Sequence, residues 1–304
     1  DNVPDRDAAV VASLRREGAI VMGKTNLPRW SGDIQSYNEI FGTTNNPWNL
    51  SCGPGGSSGG APAAVAMGFT SFEIGTAIGG SIRFPAAFNG IWGHKPSFGV
   101  IPTTGYLDHI QGGLDEADIN VFGPLARSAT DLGFLLDIMK RNSPPWIPQL
   151  PEAPPDLSNL KVGAWLDDAF CPVDQEVRAH LEKVVDELEN DGIAIDRSAR
   201  PDIDPEEAVM LGLWLVQRAI SQSTDSDGPG HRIWLDRHVR REEIRLKWAK
   251  FFEDYDAIIM PVCFVPPFEH QQDGDFANRT LTCNGEIRNY VDVVKWTTMV
   301  GMAY

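Results

Sequence analysis

Apolar positions near the start of the chain recur at helical spacing. Over residues 7–17, Ala8, Val11, Ala12 and Leu14 fall near one face, and Gly18 follows where a left-handed cap commonly stops a helix. The uninterrupted run Ala19-Ile20-Val21-Met22 predicts a short buried strand ending in the turn-forming Gly23-Lys24-Thr25-Asn26. Residues 45–60 are dominated by Gly, Ser, Pro and Asn, and residues 62–67 then supply small apolar side chains for a closely packed helix with Pro62 in its first turn. Six prolines between residues 142 and 156 cannot continue a helix or a central strand and predict a connector. Beyond it the pattern predicts a strand over 160–165 and an amphipathic helix over 174–190. In that helix Val177, Leu181, Val184, Val185 and Leu188 share a face, and Gly192 is the stop. A strand over 193–195, helices over 206–221 and 233–252 separated by a polar loop, and a strand over 257–262 complete the series. Alternating helices and strands predict an α/β fold with a helix-flanked, largely parallel or mixed sheet.

Composition narrows the classes. At 304 residues with 42% hydrophobic content, the chain can bury a full core without a disulfide or metal staple. Its formal net charge of -16 argues against a nucleic-acid partner, which would draw on clustered Lys and Arg. No run approaches the roughly 18 apolar residues of a membrane span, and residues 1–7 lack the basic and apolar regions of a signal peptide. Cys52, Cys171, Cys263 and Cys283 lie far apart with no C-x-x-C pair, which makes a reducing cytoplasm the default compartment.

Two short motifs mislead. Gly18-Ala-Ile-Val-Met-Gly23-Lys24-Thr25 satisfies the phosphate-loop expression, yet its middle is an apolar run that favours a strand, and Pro28 and a polar loop follow where a helix is needed. Gly55-Gly56-Ser57-Ser58-Gly59-Gly60 matches the nucleophile elbow of an α/β-hydrolase, but Asn49-Leu50-Ser51-Cys52-Gly53-Pro54 is no apolar strand. Nor do His94, His180, His231, His238 and His270 have the context of a catalytic base. The Leu213-Trp214-Leu215 and Trp234 region reads as ordinary core, with an acyl pocket as the alternative.

A second glycine-rich segment, running from Gly75 through Gly79-Gly80-Ser81-Ile82-Arg83 to Pro85, is more informative. Consecutive glycines let backbone N–H groups converge on one point, the geometry of an oxyanion hole, and a serine at its end would sit beside the carbonyl under attack. A pair of tight turns is the plain alternative. The two segments, together with Gly23-Lys24-Thr25-Asn26, Asn46-Pro47-Trp48-Asn49, Gly93-His94-Lys95-Pro96-Ser97 and Gly123-Pro124-Leu125-Ala126-Arg127-Ser128, resemble the amidase signature family. The resemblance is dense over residues 7–135 and sparse afterwards. It implies one α/β amidase domain with a mixed twisted sheet flanked by helices on both faces, divided into a signature core (1–141), the Pro-rich connector (142–156) and a second half (157–304).

The resemblance also implies hydrolysis of a carboxylic amide through an acyl-enzyme on Ser81, with no cofactor. The oxyanion would be held by the N–H groups of Ile78, Gly79, Gly80 and Ser81. Ser57 would be the bridging serine on a cis peptide bond, Ser58 and Arg83 supporting residues, and a neutral lysine the final base. That lysine lies upstream of Gly-Lys-Thr-Asn in the family pattern and has no counterpart here, and Lys24 and Lys95 match other positions. The chain is therefore expected to be an internal fragment without activity of its own. Ala77 stands where the family usually has Asp, so Arg83 is expected to lack its usual carboxylate and to need another partner. The expected partner is a small amide, with a homodimer as one assembly the family allows. The glutaminase-like component of a tRNA-dependent amidotransferase and a noncatalytic homologue are the alternatives.

Overall fold

The structure, a computed structural model, describes residues 4–106, 113–114, 116–140, 150, 157–220 and 229–304. The expected proline-rich connector, apart from Leu150, and most of the polar loop before residue 229 lie outside the described residues. The helices are α1 (Ala9–Arg16), α2 (Gly60–Ala66), α3 (Arg83–Asn89), α4 (Ala129–Met139), α5 (Gln175–Asn190), α6 (Pro205–Ile220), α7 (His231–Phe251) and α8 (Lys295–Gly301). The strands are β1 (Tyr37–Asn38), β2 (Gly42–Thr43), β3 (Phe72–Ala77), β4 (Trp92–Gly93), β5 (Val121–Ala126), β6 (Lys161–Ala164), β7 (Ala194–Asp196), β8 (Ala257–Ile259), β9 (Thr280–Cys283) and β10 (Glu286–Asn289).

The class is mixed α/β, and among the described residues the strands form two three-stranded sheets and two antiparallel pairs, β1-β2 and β9-β10. In the order β3-β5-β4 all pairs are antiparallel, with Phe72 opposite Ala126 and Ala77 opposite Val121. In the order β7-β6-β8 all pairs are parallel. Every residue of β5 is buried, although Pro124 sits mid-strand. In a strand a residue's N–H and C=O face the same edge. The Pro124 carbonyl accepts from His94 N at 3.0 Å on the β4 side, so the donor Pro124 lacks would have pointed where that short strand is ending.

Most elements lie where the hydrophobic pattern puts them. α1 buries Val10 and Leu14 against α4 and stops at Gly18, which adopts φ +90°. α5 is capped by Asp174, whose carboxylate accepts from Glu176 N at 2.9 Å. The strand expected over residues 19–22 does not form. Ile20, Val21 and Met22 are exposed by 83%, 60% and 81%, and no described strand pairs with them. A run of apolar residues specifies a strand only when a neighbouring strand takes up its N–H and C=O groups.

The largest core cluster joins α6, α7 and α8 to the parallel sheet. Trp165 and Trp296 meet edge to face with centroids 5.6 Å apart, and Phe264, Tyr290, Leu211, Leu215 and Met299 close around them. α8 packs along α6 and thereby carries Thr297 to the glycine-rich turn after β3. No helix of the described residues is long and apolar enough to cross a membrane.

Candidate active site

The antiparallel ladder between β3 and β5 ends at Ala77. Ile78, Gly79, Gly80 and Ser81 then turn into α3, with Phe84 N donating to Gly80 O at 2.9 Å. Among the described residues, the amides of Ile78, Gly79, Gly80 and Ser81 donate to no intramolecular acceptor. Backbone donors are almost always satisfied inside a fold, so four unspent ones in succession mark a place suited to an external acceptor. Ser81 is half-buried at the end of this run.

The first glycine-rich segment is bound directly to the second. Ser58 N donates to Ser81 O at 3.3 Å, and the Ser58 hydroxyl donates to Thr76 O at 3.2 Å while accepting from Thr76 N at 3.3 Å. These bonds tie Ser58, the chain neighbour of Ser57, to the end of β3 and to the Ser81 segment. The Gly56–Ser57 peptide bond is cis, as the resemblance implies, and Ser57 is buried. Ser57, Ser58, Ser81 and the three residues before Ser81 are thus gathered in one place.

Arg83, at the start of α3, has no carboxylate partner among the described residues. It donates through Nη2 to Thr297 O at 3.2 Å, and its Nε is buried without an acceptor. The Thr297 hydroxyl donates to Gly79 O at 2.7 Å, so one residue of α8 holds both the glycine turn and the arginine. Ala77, the departure from the family pattern, is buried among Ala61, Ile82, Ala86, Val121 and Leu125. Burial lowers the Arg83 pKa to about 10. Burial, reinforced by the Arg83 charge, lowers that of Lys95 to about 7. Lys95 donates to Pro96 O at 2.8 Å. His94, lowered by burial and by Lys95, continues the β4 pairing and hydrogen bonds neither serine.

The other described histidines lie elsewhere. His180 contacts Glu176 O, His231 and His238 stack with Trp234, and His270 meets Gln272. No strand precedes Gly55-Gly56-Ser57, and no strand or long helix brackets Gly23-Lys24-Thr25, so both misleading motifs are set aside. A cavity of about 400 Å³ opens beside α6 and α7, lined in part by Phe98, Trp214, Leu215, Trp234 and Tyr304. It includes aromatic residues read from the sequence as core, while Leu213 and both serines lie outside its lining. Sequence reasoning missed Thr297 and Ser36. Ser36 Oγ lies 3.1 Å from Ser57 O. Neither is part of a motif, and Thr297 is 218 positions from the glycine it holds.

Residues 1–233 match the family model described as Amidase. The chain belongs to the Amidase family. It is 36% identical over 201 residues to a glutamyl-tRNA(Gln) amidotransferase subunit from Sulfurisphaera tokodaii, covering 64% of this chain and 41% of that one. It is 31% identical to indoleacetamide hydrolase of Bradyrhizobium japonicum, covering 95% of this chain and 67% of the relative. The crystal structure of a glutamyl-tRNA(Gln) amidotransferase subunit from Thermotoga maritima superposes with a TM-score of 0.77 over 98% of this chain and 68% of that one, at 22% identity, a likeness of fold. The chain spans about two-fifths of the length of the glutamyl-tRNA(Gln) amidotransferase subunits from Sulfurisphaera tokodaii and Sulfolobus acidocaldarius that it matches.

Proposed function

We propose that this chain is the core of an amidase that hydrolyses a small carboxylic amide through an acyl-enzyme on Ser81. The observation that carries the reading is the row of four unspent amides from Ile78 to Ser81, ending on a half-buried serine and bonded through Ser58 to the segment of Ser57. A serine hydroxyl is a weak nucleophile, so it needs a route for its proton, and in this reading the route is the buried Ser57, the chain neighbour of the Ser58 that bonds to Ser81 O. In this reading Ser81 Oγ attacks the amide carbon as its proton leaves through Ser57 to a neutral amine base. The carbonyl oxygen becomes an oxyanion held by the N–H groups of Ile78, Gly79 and Gly80. Collapse of the tetrahedral adduct returns the proton to the departing nitrogen and leaves the acyl group on Ser81, and water then releases the acid and restores the hydroxyl. No step calls for a cofactor. Four free, buried cysteines support a reducing, cytoplasmic setting.

The test is to treat the natural gene product with a serine-directed fluorophosphonate and map the adduct, alongside turnover of a panel that includes glutamine and indole-3-acetamide. The adduct is expected on Ser81. Ser81→Ala should abolish it, and Ser57→Ala should slow it by about 10²–10⁴-fold while the protein stays folded. An adduct on any other residue refutes the assignment.

A further inference from the structure

Residues 33–36 belong to none of the signature motifs, yet they press directly on the segment that carries Ser57. A Cβ added to Gly56 would stand 2.6 Å from Ile34 C and 2.8 Å from Asp33 O, and one added to Gly59 would stand 2.2 Å from Ser36 Oγ. Neither glycine can accept a side chain without moving backbone, so the two segments are in register at van der Waals limits. Ser36 is 1% exposed, and its hydroxyl lies 3.1 Å from both Gly55 O and Ser57 O. It accepts from Gly59 N at 3.0 Å. The single hydroxyl proton is shared between the two carbonyls that flank the Gly56–Ser57 peptide bond, while the lone pairs hold the amide two residues beyond Ser57.

The same short segment is locked from far along the chain. The Asp33 carboxylate accepts from Arg279 Nη1 at 2.6 Å, from Tyr290 OH at 2.6 Å and from Tyr37 OH at 3.2 Å. Gln35 Nε2 donates to Tyr290 OH at 3.0 Å and to Gln271 O at 2.9 Å, and Gln35 Oε1 accepts from Gln271 N at 2.9 Å. Arg279 and Tyr290 stand immediately before β9 and after β10, and Tyr290 N donates to Arg279 O at 3.0 Å, which closes the open end of that hairpin. The ion pair is 7% and 8% exposed at its side chains, and Tyr290 is fully buried between the edges of Phe268 and Phe276. Water therefore cannot easily substitute for any member.

We propose that Ser36 is a positioning residue for Ser57, held at its height by the buried Asp33–Arg279–Tyr290 network at the base of the β9–β10 hairpin. The proposal rests on the reading of Ser57 as the proton relay to Ser81. The network fixes Asp33 and Gln35, the backbone between them abuts Gly56, and Ser36 fixes both carbonyls and the following amide around Ser57. A relay hydroxyl displaced by about 1 Å can cost about 10²-fold in rate.

The experiment follows fluorophosphonate labelling of Ser81 in the natural gene product over a range of probe concentrations. Ser36→Ala and Tyr290→Phe should lower the maximal labelling rate by about 10²-fold with the half-saturating probe concentration unchanged. Ser36→Thr, which retains the hydroxyl, should recover most of that rate. Amide exchange at Gly59 should accelerate in Ser36→Ala, independently of activity. Wild-type labelling rates in Ser36→Ala, or losses that merely track melting temperature and are not recovered by Ser36→Thr, overturn the positioning role while leaving Ser81 as nucleophile. Absence of Ser81 labelling in the wild-type protein overturns the reading of Ser81 and the role of Ser36 with it.

Discussion

Gly79 and Gly80 are adjacent in sequence and opposite in what they tolerate. A Cβ on Gly79 would meet nothing within 4 Å, whereas one on Gly80 would stand 2.3 Å from the Phe84 ring, at φ +135°, where an L side chain is strained. Gly80→Ala is therefore expected to destabilise by about 1–3 kcal/mol through overpacking and strain. Gly79→Ala should leave the urea midpoint unchanged but depress Ser81 labelling, because its methyl would occupy the open space before the free amides. A midpoint loss in Gly79→Ala equal to that in Gly80→Ala would contradict this division. The glycine- and serine-rich segments that carry Ser57 and Ser81 stood out in the sequence, but their pattern alone fitted a pair of tight turns equally well, and it was the family resemblance that singled out these two serines. Ser36, Arg279 and Thr297 were not legible, since each acts through a contact made across many positions and no spacing announces it.

At the scale of elements, α3 begins with Arg83 and the extension of β4 brings Lys95 within reach of its charge, and among the described residues neither buried cation pairs with a carboxylate. The Lys95 pKa is about 7 in the fold against an ordinary value of 10.5. Between those values the unfolded chain holds a proton that the folded chain does not, so stability falls as pH is lowered through the window and levels off below about 7. The slope is at most about 1.4 kcal/mol per pH unit. Lys95→Met should flatten urea midpoints measured from pH 7 to 10 and raise the midpoint at pH 7. Arg83 titrates at the top of the window and His94 below it, so neither imitates the effect. An unchanged slope in Lys95→Met would show Lys95 to be solvated. Helices were read well here because their apolar stripes are local, as in α5 and α6. Strands were read less well. Residues 19–22 have the composition of a strand and no partner, while β3 was hidden because Gly75, Thr76 and Ala77 read as part of the glycine turn. The β9–β10 hairpin was marked by Asn284-Gly285, both at positive φ, a turn signal that hydrophobic pattern alone passes over.

For the molecule as a whole, composition allowed a full buried core, but which helices share that core depended on packing that periodicity does not encode. Trp165 and Trp296 lie 131 positions apart and anchor one cluster, and Trp296 Nε1 donates to Cys171 O at 3.2 Å within it. Cys171, Cys263 and Cys283 all belong to that cluster, and burial pushes the Cys171 and Cys263 thiols up to about 12. Alkylating reagents attack the thiolate, so at pH 8 these two groups are protected both by exclusion and by having only about 10⁻⁴ of the reactive form. The native protein should therefore resist iodoacetamide at both positions. Because the same cluster surrounds the tryptophan pair, labelling of Cys171 and Cys263 in a urea series should rise together with the loss of native tryptophan fluorescence. If Cys171 is alkylated at urea concentrations where the fluorescence is still native, the region around Trp296 opens separately from the rest. α8, which holds Gly79 and Arg83 through Thr297, would then be an independently opening element, and the glycine turn before Ser81 would lose its support before the fold is lost.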